Sequence, residues 1–355
     1  MKKINFFLIV LFIVLIVSNC EYFKLLSKNE WEEISDQDDS VIIYVSGAIM
    51  EGTDVVPCYW KIKDDKIEQI DLEYVLGTNN SIAYSIYILG DDVYACGHYD
   101  NGTTARACYW INEKRYDLEV DDPASASYSF SIKENNGVVF VAGVADGKAN
   151  YWINQNKNVL NIDTAKTIYI RQLSSSKHDI YIGGINLKNP SQACYWKNGY
   201  IVDLPPLPVI IVDSSEVWSI QVVGNIVYSA GTKIINSIQD ACLWKNQDLT
   251  VLPNGAYGFS VAVLNGDTYV AGQSSVSTAC YWKNNKFRSL PYSSAPSIAY
   301  GIFIYNNVTY IAGYDNNGGT QQACYWVNED QEHLNDAVGV ISQSYSIFVT
   351  TDNDK

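Results

Sequence analysis

The tetrapeptide Ala279-Cys280-Tyr281-Trp282 decides how this chain reads, because near-copies of it recur along the whole length. They are Pro57-Cys58-Tyr59-Trp60, Ala107-Cys108-Tyr109-Trp110, Ala149-Asn150-Tyr151-Trp152, Ala193-Cys194-Tyr195-Trp196, Ala241-Cys242-Leu243-Trp244 and Ala323-Cys324-Tyr325-Trp326. Successive tryptophans are 50, 42, 44, 48, 38 and 44 residues apart. A repeat of that length is one supersecondary unit that cannot bury its own apolar faces and must stack on copies of itself.

Each unit carries four strand signals. In the second they are 84–88, which alternates and is β-branched or aromatic; 93–97, which closes on Gly97; 105–111, which holds the Trp phrase; and a short outer strand, 115–118. Tight turns at Gly90-Asp91-Asp92 and Asn112-Glu113-Lys114 join the first pair and the last pair. We name the strands a, b, c and d. Seven such units with no helical period predict an all-β, seven-bladed β-propeller of four-stranded antiparallel blades. The two ends of the chain predict how the ring closes. The first unit begins at strand b (41–47) and lacks a strand a, while the last unit ends in an orphan strand a (344–349). Pairing the two completes the first blade and removes an exposed sheet edge.

Within strand c, Cys and Trp share one face and Ala and Tyr the other. Apolar residues on both faces suit a blade covered on both sides, so the Trp set reads as core filling the space between blades. Six cysteines at one repeat position read as small buried hydrophobes, because equivalent positions on neighbouring units lie too far apart for a disulfide. Cys96, on the strand next to Cys108, leaves one cross-strand disulfide open. The third unit departs from the pattern, with Asn150 in place of Cys and an arginine, Arg171, in the inner strand we place at 168–173.

The 355 residues carry a formal charge of −15 and are 47% hydrophobic. Such an acidic surface disfavours nucleic acid and broad adsorption to anionic lipid. Lys2 and Lys3 precede an apolar run, 6–17, too short to cross a bilayer and suited to a secretory signal. The run ends Val17-Ser18-Asn19-Cys20, which resembles a bacterial lipobox, with Asn19 where Gly, Ala or Ser is usual. The resemblance implies a signal peptide over 1–19 and lipidation of Cys20; the charged stretch behind it reads as a tether, which with Cys20 spans 20–40, and the repeats place the propeller over 41–355. Localisation follows as a membrane-anchored lipoprotein of the bacterial envelope, at the outer membrane or cell surface. The run of a strand, Ala-Gly, Ala-Cys-Tyr-Trp-Lys-Asn and Asp-Leu, recurring over nearly everything from Val41 onward, resembles uncharacterised bacterial extracellular repeats built on Ala-x-x-Trp. More distantly, the chain is similar to kelch propellers. The resemblance implies a propeller and export and carries no catalytic residues.

Chain direction alternates, so the longer b–c and d–a connections share one rim, where binding usually resides. On it lie 98–104, 185–191, 232–239, 314–320 and 205–216. The candidate ligand-binding residues are His98, Tyr99, Asp100, Tyr314 and Asp315, with Arg171 as a channel-facing cation for an anionic group. Clustered Asp and Asn in Tyr99-Asp100-Asn101-Gly102 and Tyr314-Asp315-Asn316-Asn317-Gly318 offer oxygen ligands for calcium, though ordinary turns use the same residues. No other cofactor is implied. Enzyme signatures are missing: there is no Gly-x-Ser-x-Gly turn, residues 143–149 fall one residue short of a phosphate loop, and His98, His178 and His333 are scattered. The boxes of sialidase-like and quinone-dependent propellers are missing as well. These readings converge on a monomeric, non-catalytic binding or scaffold module for an envelope or host protein or glycan. The alternative is a polysaccharide hydrolase or lyase acting on the same face.

Overall fold

The computed structural model describes residues 40–160, 170–176, 179–187, 190–205, 213–335 and 339–352. The signal segment, Cys20 and most of the tether lie outside them, as does His178. Among the described residues there are seven four-stranded antiparallel sheets in a ring, a seven-bladed β-propeller. Strands a–d of blade 2 are Ile82–Leu89, Asp92–Asp100, Ala105–Ile111 and Lys114–Asp117, and the other blades repeat that order. Blade 1 is completed by the last strand of the chain. Ser342–Thr351 lies innermost and pairs with Val41–Glu51, from Val41↔Thr351 to Ile49↔Ser342. One sequence expectation is corrected here. The strand carrying Arg171, Ile170–Ser176, is the inner strand of the fourth sheet and not the third, because it pairs with Asp179–Asn186.

The repeated phrase builds the contacts between blades. Trp60, Trp110, Trp152, Trp196, Trp244, Trp282 and Trp326 are all fully buried. Each packs on the Ala/Tyr face of the blade before it, together with its Cys except in the third blade, where Asn150 replaces the Cys. Cys280 and Trp282 meet Ala241 and Leu243, and Cys324 and Trp326 meet Ala279 and Tyr281. Across the closure, Cys58 and Trp60 meet Ala323 and Tyr325 of the last blade. The indole N–H groups of Trp110, Trp152, Trp282 and Trp326 reach backbone carbonyls at the preceding blade's end, as from Trp110 to Glu73 (2.9 Å) and Trp282 to Pro253 (2.8 Å).

Two residues after each tryptophan from the second on stands an asparagine that holds the turn between c and d. Asn112, Asn154, Asn198, Asn246, Asn284 and Asn328 have φ between 47° and 57°, a region that asparagine tolerates. Each bonds twice to the first residues of strand b. Asn198 donates its N–H to the Ile180 carbonyl (2.9 Å) and accepts the Ile180 N–H on Oδ1 (2.8 Å). The described cysteines are free and buried. Cys96 is opposite Tyr109 in the ladder and Cys108 is opposite Gly97, so their side chains leave on opposite faces of the sheet and no disulfide joins them.

Candidate functional site

The axis of the ring is lined by the seven a strands, and each has a β-bulge at the same place. In blade 2, Ala83 pairs with Gly97 and Ser85 with Cys96, which leaves Tyr84 as the extra residue. The equivalent extra residues are Phe130, Arg171, Trp218, Phe259, Tyr300 and Tyr345. A bulge re-aims its side chain and kinks the strand. The glycine on strand b makes room for it. A Cβ on Gly97 would sit 1.8 Å from the Ile82 carbonyl oxygen, and one on Gly272 would sit 1.9 Å from that of Tyr257. Gly272→Ala should therefore cost about 2–3 kcal/mol through overpacking against backbone, read as a lower denaturant midpoint. A change under about 0.5 kcal/mol would contradict this role.

The six aromatic residues form a collar. Going round from Phe130 to Tyr84, Tyr345, Tyr300, Phe259 and Trp218, neighbouring ring centroids are 5.3, 5.1, 5.2, 5.1 and 5.0 Å apart. Such spacings lie within the range of favourable aromatic contact. Between Phe130 and Trp218 the equivalent register position belongs to Arg171, whose side chain is outside the described residues. Serines next to the collar tie the inner strands together: Ser219 Oγ accepts the Val261 N–H (2.8 Å) and Ser260 Oγ the Ile302 N–H (3.3 Å).

On the rim where the b–c hairpins project, the collar floors a cavity of about 750 Å³. Its wall toward blades 5 and 6 carries Glu216, Thr232, Gln239, Tyr257 and Gln273. On the other side of the collar a second chamber of about 440 Å³ contains Lys133, whose ammonium pKa is lowered by burial.

The sequence candidates fall into two groups. His98 and Tyr314 each follow a bulge-accommodating glycine and stand behind the collar. His98 lies 5.6 Å from Tyr84 and 4.9 Å from Tyr128, centroid to centroid, with Nε2 3.0 Å from Asn80 Oδ1. Tyr314 lies 6.1 Å from Tyr300. The other three build blades. Tyr99 donates its phenol proton to Asp117 Oδ2 (3.1 Å), beneath the Arg115 guanidinium. Asp100 Oδ1 accepts the Gly102 N–H (2.8 Å), and buried Asp315 accepts the Ser293 N–H (2.7 Å) with His333 Nε2 3.6 Å away. Asn101 Oδ1 is likewise taken up by the N–H groups of Thr103 and Thr104. The Asp100 and Asn101 oxygens close turns and Asp315 ties down the connection at Ser293, and among the described residues no three His, Cys, Asp or Glu side chains gather as a metal would need.

The b–c connections also differ from the expected long loops. Strand b runs on to Asp100, Ile235 and Asn317 in blades 2, 5 and 7, and the last two hairpins turn in two residues. The two Tyr-Asp-Asn loops, alike in sequence, are out of phase by one residue: Gly97 is equivalent to Gly313, so His98 matches Tyr314 and Tyr99 matches Asp315.

Burial lowers the His98 pKa to about 4, against the weaker pull of Asp100 in the opposite direction. The imidazole is thus neutral in the fold, while an unfolded histidine takes up a proton below about 6.5. Stability is therefore full above about pH 6.5 and falls on acidification toward pH 4, by on the order of 3 kcal/mol from this group. His98→Gln should flatten that part of the stability profile, and an unchanged slope would contradict the assignment.

No family model matches the chain, and no curated protein matches it. Among solved structures it is similar to the computationally designed protein Ika8, at 14% identity over 84% of this chain and 90% of that one, with a TM-score of 0.45. It is also similar to the extracellular domain of BT4673 from B. thetaiotaomicron, at 13% identity over 76% of this chain and 37% of that one, with a TM-score of 0.46.

Proposed function

We propose that this chain is an exported envelope lipoprotein, held in the bilayer through acylated Cys20 and akin to the Ala-x-x-Trp repeat proteins. Its propeller binds a protein or glycan ligand without turning it over. The observation that supports a binding role is the bulge repeated in all seven blades. It re-aims one residue per blade from a rigid frame, and the aromatic ones floor a concave cavity, as small-ligand sites require. Hydrolysis of a glycoside by the usual route needs two carboxyl groups about 5–10 Å apart across the scissile bond. Among the described residues lining the cavity Glu216 is the one carboxylate, which weighs toward binding.

Two measurements test the reading. Cells expressing the full chain should incorporate labelled palmitate, and Cys20→Ala should lose the label and leave the membrane fraction; retention of both would defeat the anchor. Cross-linking on intact cells and glycan arrays should give a saturable ligand whose capture fails in Phe259→Ala. Ligand release as shortened products would instead establish the hydrolase or lyase.

A further inference from the structure

We propose that the axial cavity takes the end of a neutral saccharide chain; this rests on the binding-module reading and names its ligand. A sugar ring presents flat C–H faces and edges lined with hydroxyls that both donate and accept. A site for it needs aromatic faces beside planar polar groups. The wall at blades 5 and 6 supplies both. Tyr257 and Phe259 are parallel, 5.3 Å apart with 7° between planes, and Trp218 stands 5.0 Å from Phe259. Above these rings are the Glu216 carboxylate and the amides of Gln239 and Gln273, the latter held by its Nε2 donating to the Ser297 carbonyl (3.2 Å).

Thr232 separates the saccharide from other ligands. It lines the cavity and is 2% exposed, yet its hydroxyl has no hydrogen-bond partner among the described residues. A buried hydroxyl without a partner is costly, and a ligand hydroxyl would satisfy it. A quaternary ammonium ion would engage Glu216 and the rings but offer neither donor nor acceptor to Thr232 and the amides. An anionic sugar would meet Glu216 with no cation among the described lining residues. A neutral sugar matches every group, and about 750 Å³ is within the size range of small-ligand sites.

The test is calorimetric titration of the full-length protein, in a detergent without a sugar headgroup, with neutral gluco-, xylo- and manno-oligosaccharides and with tetramethylammonium chloride. One oligosaccharide class should bind saturably. Trp218→Ala and Glu216→Gln should each weaken it at least tenfold. Thr232→Val should weaken it several-fold while the melting temperature holds or rises, which guards against a folding defect. Binding that survives all three substitutions would overturn the assignment. Tetramethylammonium binding with the oligosaccharides inert would overturn the saccharide and leave the cavity reading standing. Silence from every probe would overturn the saccharide, and the binding-module reading would fall too if cross-linking recovers nothing that depends on Phe259.

Discussion

Removing residues 342–355 should abolish the native cooperative transition, with a loss comparable to the whole stability of a domain, about 5–15 kcal/mol. The segment is the inner strand of blade 1 and pairs with Val41–Glu51 almost end to end. Ile347 and Val349 are buried in the core around Trp60. Ser342 Oγ accepts the Ala323 N–H (2.9 Å), and Ser344 Oγ donates to the carbonyls of Gly313 (2.6 Å) or Cys324 (3.0 Å). Tyr345 bridges Tyr84 and Tyr300 in the collar. Its loss leaves two blades facing a gap and a bare strand edge open to pairing with other chains. Calorimetry with limited proteolysis reads the effect; a melting curve like that of the intact chain would contradict closure by this strand.

Trp110→Ala should cost about 3–5 kcal/mol. The indole is fully buried among Tyr44, Tyr59, Leu72, Ala83 and Ile86, so it joins blade 2 to blade 1 and not to its own sheet alone. Truncation leaves a large cavity at that junction and strips the Glu73 carbonyl of its indole donor. Urea unfolding measures the loss, and a cost under about 1 kcal/mol would remove Trp110 from the core. Trp218 makes the contrast: it lines the axial cavity at a bulge and lies outside the repeated phrase.

The ring was legible because the Trp phrase states the packing rule directly. Period-2 alternation puts Cys/Trp against the Ala/Tyr of the preceding blade, and the unequal chain ends announce the closure. The collar was hidden by the device that makes it. Alternation along 84–88 says nothing of an unpaired extra residue, so Tyr84 reads as one more strand aromatic. A second phrase did carry the signal. Tyr84-Ser85-Ile86, Phe130-Ser131-Ile132, Trp218-Ser219-Ile220, Phe259-Ser260-Val261, Tyr300-Gly301-Ile302 and Tyr345-Ser346-Ile347 align at blade spacing, with Arg171-Gln172-Leu173 as the divergent copy. The rim candidates drew attention to Asp and Asn because those residues cluster near hairpin tips. There they complete the hydrogen bonds of the turns, and only His98 and Tyr314, one position after the glycine, lie against the collar.

The bulge also bears on how such a chain can change. Each collar position is set by its own blade's glycine and by backbone pairing, while stability resides in the buried Trp, the turn Asn and the clasp strand. A substitution at one of the seven positions alters one panel of the channel wall and leaves the frame that presents it untouched. Arg171 in the fourth copy, among six aromatic residues, is what a single such step looks like. New specificities can accumulate at the axis one codon at a time, with no intermediate that has to give up the fold.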